Sequence, residues 1–164
     1  AISLNYKDFE ADIIQGNVDK LNIYGYEATG YAATIESMES YFKTNMELLN
    51  PENCDDLFNN DRPVYTKVRD DMPAIYGIGS SVKNSLIADG CIIEGTVENS
   101  ILFRGAYVAE GAVVKNSIIL ANAKVCSDVK LNNVVIDKQA IVKYTKELEG
   151  TIENPIGIRQ EDVA

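Results

Sequence analysis

Between Val82 and Val142 the apolar positions recur in columns, not at a helical period. The segment VKNSLIADGCIIEGT opens at Val82, and VENSILFRGAYVAEGAV, VKNSIILANAKVCSDVK and LNNVVIDKQAIV open at Val97, Val114 and Leu131, so successive starts lie 15, 17 and 17 residues apart. Counted from each start, the first column holds Val82, Val97, Val114 and Leu131. Five residues on stand Ile87, Leu102, Ile119 and Ile136; eleven on stand Ile93, Val108, Val125 and Val142. Nine on, every residue is small: Cys91, Ala106, Ala123 and Ala140. Three aliphatic columns five to six residues apart predict three flat faces per turn of a coil, with each column stacked on itself.

That pattern predicts a mainly β chain built on a hexapeptide-type parallel β-helix of about four coils, its strands about 4.8 Å apart. Corners of such a coil need backbone angles that Gly and Asn adopt most cheaply. Eight residues on, Gly90, Gly105 and Asn122 meet that need before Gln139 breaks the series. Two residues on, Asn84, Asn99, Asn116 and Asn133 predict a side-chain amide ladder along one edge. The first repeat is two residues short between Ile93 and Val97, where a tighter turn is expected.

Around the coils the pattern changes. Asp8–Ile14 has room for one helical turn, and Leu21–Ala28 reads as a β-rich strand turning at Thr29-Gly30 into Tyr31–Ile35. Met38, Tyr41, Phe42, Met46 and Leu49 recur at helical spacing, with Ser37 as N-cap and Asn50-Pro51 as a stop. Residues 50–69 are polar and rich in turn formers, and Val64–Val68 and Ala74–Tyr76 read as short extended pieces leading into the coils. The expected organisation is an α/β remnant over residues 1–50, a linker and lead-in over 51–81, the β-helix over 82–142, and a tail or cap over 143–164, with Glu149–Ile152 as one degenerate further strand.

Composition narrows the chemistry. Lys and Arg number 15 against 25 Asp and Glu, a net charge of −10, which disfavours a nucleic-acid or anionic-membrane surface. No apolar run reaches the roughly 18 residues of a membrane helix, and no basic leader opens the chain. The chain begins at Ala1, not Met, and is expected to be a piece of a longer, cytoplasmic protein. Its three cysteines, Cys54, Cys91 and Cys126, have no CxxC spacing and read as structural thiols.

There is no histidine. Coils of this type are similar to those of hexapeptide acyltransferases, which activate the acceptor with a histidine base, and of gamma-type carbonic anhydrases, which hold metal through three histidines. Neither chemistry is available here. Asp89, Glu94, Glu110 and Asp128 fall at turns without paired spacing and read as a solvated rim. Gly77-Ile78-Gly79-Ser80-Ser81 is a lone Gly/Ser turn, closer to a hinge than to a phosphate cradle. The residues themselves nominate no catalytic, cofactor-binding or metal-binding position.

Gly30-Tyr31 followed by Met38–Leu49 resembles the segment GYWxDVGTxxxYxxANxxLL of the glucose-1-phosphate adenylyltransferase (ADP-glucose pyrophosphorylase) family of bacterial glycogen synthesis. Arg62–Lys67 with Pro73-Ala74 resembles that family's linker, and Val82–Cys91 and Val135–Lys138 resemble its coils; the match runs from about Asp8 to Val142. The resemblance implies a left-handed β-helix appended to a nucleotidyltransferase domain that uses Mg²⁺. The general rule for parallel crossovers is right-handed, so the hand rests on the resemblance alone. Aligning backward from Asn45–Leu49 sets Thr34 at the motif's Asp, with Glu36 and Ser37 for its Gly-Thr. A neutral hydroxyl does not supply the charge of a hard anionic ligand, and the family's glycine-rich nucleotide loop is absent. Together these imply the C-terminal part of a GlgD-type regulatory subunit, without cofactor in this part. It would assemble through the β-helix with a catalytic ADP-glucose pyrophosphorylase subunit or with itself. The alternative is the same part of a catalytically active member, joining ATP and glucose 1-phosphate into ADP-glucose and pyrophosphate.

Overall fold

A computed structural model describes residues 6–144 and 146–161. The chain divides into two compact units, 1–30 and 31–164.

In the first unit, Asp8 caps a π-helical turn over Phe9–Ile14 by accepting from the Ala11 N–H at 2.7 Å, and a 3₁₀ turn follows over Gln15–Asn17. The expected strand over 21–28 does not form, and Tyr24 and Tyr26 are almost fully exposed. Its intended partner, 31–35, is irregular as well. Two strands alone are marginal in water, and Tyr31 is committed elsewhere. Its N–H donates to Asp56, and its hydroxyl donates to Glu47 at 2.9 Å.

The second unit opens with α1 (Met38–Glu47). Ser37 caps it as expected, and Ser40 returns the bond in a reciprocal box: the Ser40 N–H donates to Ser37 Oγ at 3.1 Å and the Ser37 N–H to Ser40 Oγ at 2.8 Å. Asn50-Pro51 ends this helix but also starts another. Asn50 caps α2 (Pro51–Leu57), with Pro51 in the first turn. This corrects the reading of 50–69 as linker throughout. A proline lacks an N–H that the first helical turn would leave unpaired anyway, so it opens helices as readily as it closes them. Residues 64–68 form no strand, and Tyr65 and Val68 stay exposed.

The coil then starts earlier than Val82, with β1 (Ile75–Tyr76). Four full turns follow: β2 (Ser81–Lys83), β3 (Leu86–Ile87) and β4 (Ile92–Ile93); β5 (Thr96–Glu98), β6 (Ile101–Leu102) and β7 (Tyr107–Val108); β8 (Val113–Lys115), β9 (Ile118–Ile119) and β10 (Lys124–Val125); β11 (Lys130–Asn132), β12 (Val134–Ile136) and β13 (Ile141–Val142). The expected tail adds two more strands, β14 (Glu147–Glu149) and β15 (Ile156–Ile158), so most of 143–161 continues the solenoid. The further strand lies at 147–149, not 149–152, because Leu148 falls under Leu131 in the apolar column.

Every pairing is parallel and sheets are five-stranded. Sheet A runs β1-β4-β7-β10-β13, sheet B β2-β5-β8-β11-β14, and sheet C β3-β6-β9-β12-β15. The register is that of the sequence columns: Val82 pairs with Val97, Val97 with Val114 and Val114 with Leu131. The other two aliphatic columns pair likewise, Leu102 with Ile119 and Ile93 with Val108. Cys91, Ala106, Ala123 and Ala140 are all buried against these ladders. The small column exists because corners bring the sheets too close for larger side chains.

Corner backbones carry the expected left-handed angles. Gly90, Gly105, Asn122 and Gln139 have φ of 74°, 69°, 59° and 61°, and Asn84, Asn99, Asn116 and Asn133 have φ of 44° to 54°. The short turn of the first repeat closes on Gly95, where a Cβ would lie 2.4 Å from the Ala112 carbonyl oxygen. No other residue fits there.

Candidate functional site

The three faces of the prism differ in chemistry. The outer face of sheet B is charged. Glu98 stands between Lys83 and Lys115, at 3.9 Å and 3.3 Å, in the column that ends at Asn132 and Glu149. Such exposed pairs add little stability; they keep a flat sheet face wet.

The edge between sheets B and C carries the asparagines. Asn84 Nδ2 donates to Asn99 Oδ1 at 2.8 Å, and Asn99 Nδ2 to Asn116 Oδ1 at 3.4 Å. The expected ladder then leaves its column, because Asn116 Nδ2 donates to Asn132 at 2.8 Å, not to Asn133. Asn133 turns to Asn132 and to the Gly150 carbonyl. Beside this ladder runs a second one, of serines. Ser85, Ser100 and Ser117 each donate a hydroxyl to the carbonyl two residues back, and each accepts the backbone N–H of the next turn at 3.1 Å, from Ser100, Ser117 and Val134 respectively. Ser100 and Ser117 are fully buried, so this chain of bonds satisfies polar atoms with no access to water. The signal was in the sequence as the recurring Asn-Ser pairs 84-85, 99-100 and 116-117.

Sheet C is apolar on both sides. Outward-facing Ile118 and Val135 are buried beneath Phe42 of α1, itself 1 % exposed, with Tyr41, Met46 and Leu120 around them. Beside the helix lies an open groove of about 570 Å³, lined by Met38, Tyr41, Leu120, Val135, Asp137 and Ile158 among others. Burial, then the Asp137 carboxylate, pushes the Tyr41 hydroxyl above its ordinary pKa.

The two ends of the solenoid differ as well. At the first turn the inward residues Val82 and Ile87 are only half-buried, Tyr76 is 54 % exposed, Ile75 and Leu86 are exposed, and Ile78 projects wholly into solvent. β2 and β3 have no neighbour on their outer edge. At the last turn Val142 is fully buried, Ile158 is 8 % exposed and Pro155 is buried, so the interior closes over.

The carboxylates singled out in the sequence are all exposed. Glu94, Glu110 and Asp128 stand at the corner after sheet A and Asp89 at the corner before it. Glu94 accepts from the Tyr107 hydroxyl at 2.6 Å. Among the described residues no three His, Cys, Asp or Glu side chains form a group able to hold a metal ion. Thr34 lies exposed in irregular backbone ahead of Ser37; its neutral hydroxyl does not fit the part of a Mg²⁺ carboxylate ligand. Cys54, Cys91 and Cys126 are free thiols, and burial raises the pKa of Cys91. Among the described residues no helix is long and apolar enough to cross a membrane.

An unanticipated cluster sits over the Gly90 and Gly105 corners. Asp71 is held by Arg69 at 3.1 Å and lies 4.0 Å from Arg104, and one of its carboxylate oxygens is buried without a hydrogen-bond partner. Spacing could not have announced it, since residues 69–71 meet residue 104 only through the stacking of turns.

Comparison with known proteins agrees with this architecture. Residues 74–150 match the family described as GlmU-like, C-terminal hexapeptide. The glycogen biosynthesis protein GlgD of Bacillus subtilis (strain 168) is 41% identical over 155 residues, 94% of this chain and 45% of that protein. GlgD of Geobacillus stearothermophilus is 52% identical over 71 residues, 43% of this chain and 21% of its own length. The glucose-1-phosphate adenylyltransferase of Desulfitobacterium hafniense (strain DSM 10664 / DCB-2) is 35% identical over 121 residues, 74% of this chain and 30% of that enzyme. The chain thus spans less than half the length of the curated relatives it matches. With columns, corners and linker helix in place, the chain belongs to the glucose-1-phosphate adenylyltransferase family, of which it carries the C-terminal hexapeptide-repeat part.

Proposed function

We propose that this solenoid serves subunit assembly in an ADP-glucose pyrophosphorylase of glycogen synthesis, supporting a catalytic partner allosterically without performing chemistry itself. The observation that carries the reading is the unequal pair of ends. A stacked coil must cover its terminal turn, since open strand edges and half-buried aliphatics invite association. This chain covers the last turn and leaves the first one bare, with Tyr76, Ile78 and Leu86 exposed beside unpaired β2 and β3. An apolar end rimmed by backbone hydrogen-bonding groups suits a protein partner better than a small polar substrate. Thr34, standing where the family's motif has a carboxylate, supports a non-catalytic role for the whole subunit.

The test uses the full-length protein. Alone, with ATP, glucose 1-phosphate and Mg²⁺, it is expected to make no ADP-glucose, and to raise or retune turnover when mixed with a catalytic subunit. Robust turnover by the isolated protein would overturn the non-catalytic reading. Ile78→Asp together with Tyr76→Asp should weaken assembly, seen as a lower mass by sedimentation; unchanged assembly would remove the first turn as the contact.

A second reading is favoured by the 35% identity to an adenylyltransferase over 74% of the chain: the full protein is itself catalytic and tolerates Thr34. An upstream glycine-rich nucleotide loop with its Arg and Lys would favour it, and the turnover assay decides between the two.

A further inference from the structure

We draw no further inference here: the strongest candidate, the apolar groove of about 570 Å³ between α1 and the outer face of β12 and β15, lined by Met38, Tyr41, Leu120, Val135 and Ile158, carries nothing because nothing in the structure shows what covers it.

Discussion

The first and third turns of this solenoid are written in nearly the same sequence and live in different environments. VKNSLIADG at Val82 and VKNSIILAN at Val114 share their first four residues. Yet Val114 and Ile119 are fully buried, whereas Val82 and Ile87 are half-buried and Leu86 is exposed. The difference is neighbours. A middle turn is covered above and below, and a terminal turn is covered on one side only, so repeat stability is a sum of interfaces and not a property of the repeat. The same residues are a core in one place and a docking surface in the other.

The largest expected effect breaks this comparison directly. Ile119→Ala removes a fully buried side chain between two covered turns and should cost roughly 2–5 kcal/mol. Ile87→Ala, one column position in the same ladder but at the open end, should cost less than half as much. Chemical denaturation of the two variants measures both. Equal costs would mean that the first turn is covered in solution, which in a self-associating protein would show as dependence on protein concentration.

Ala123→Leu comes next. The small column has no space for a branched side chain where sheet A meets the preceding corner, and overpacking there should cost on the order of 1–3 kcal/mol. Unchanged thermal denaturation would contradict the register in which Ala123 stacks between Ala106 and Ala140. The corresponding Cys91→Leu, one turn from the open end, should cost less.

How much of this could be read beforehand divides along physical lines. Columns, corners and the amide ladder were legible because a solenoid writes its contacts at a fixed offset, so a spatial neighbour is always 15 or 17 residues away. The extra strands at 147–149 and 156–158 were obscured once the offset was lost in the irregular stretch before Leu148. α2 was missed because Pro51 signals both an end and a beginning. The failed hairpin at 21–35 shows the opposite error: β-propensity without a third strand to pair with does not make a sheet. The site was the least legible. Its open end is defined by what does not pack on Val82 and Ile87, and a residue pattern identical to that of a buried turn cannot report a missing neighbour.

The polar ladder sharpens the comparison at smaller scale. Asn116 both accepts from Asn99 and donates to Asn132, while Asn84 donates to Asn99 with no turn above it. Asn116→Ala loses two bonds and places an alanine at φ 44°; about 1–3 kcal/mol is expected from the bonds and the left-handed backbone together. Asn84→Ala keeps the backbone penalty and loses one exposed bond, so its cost should be smaller. If the two variants melt together, the ladder contributes nothing and the asparagines matter for φ alone.

The smallest effect should be a gain. Gln139 sits in the corner column occupied by Gly90 and Gly105 one and two turns from the open end, at φ 61°. A non-glycine residue held there costs about 1–2 kcal/mol relative to right-handed backbone. Glycine removes that cost but loses more conformational freedom on folding. The Gln139 side chain returns only one exposed contact, accepting from Gln160 Nε2 at 3.2 Å. Gln139→Gly should therefore stabilise by at most about 1 kcal/mol, a rise of roughly 2–4 °C in melting temperature for a chain of this size. The reverse change is not symmetrical. A Cβ on Gly105 would lie 2.4 Å from Asn122 Oδ1, so Gly105→Ala meets both the backbone and a neighbour and should destabilise. A loss of stability in Gln139→Gly would mean that the Gln139–Gln160 contact helps pin the closing turn, and that the closed end depends on polar corner bonds as well as on the burial of Val142 and Ile158.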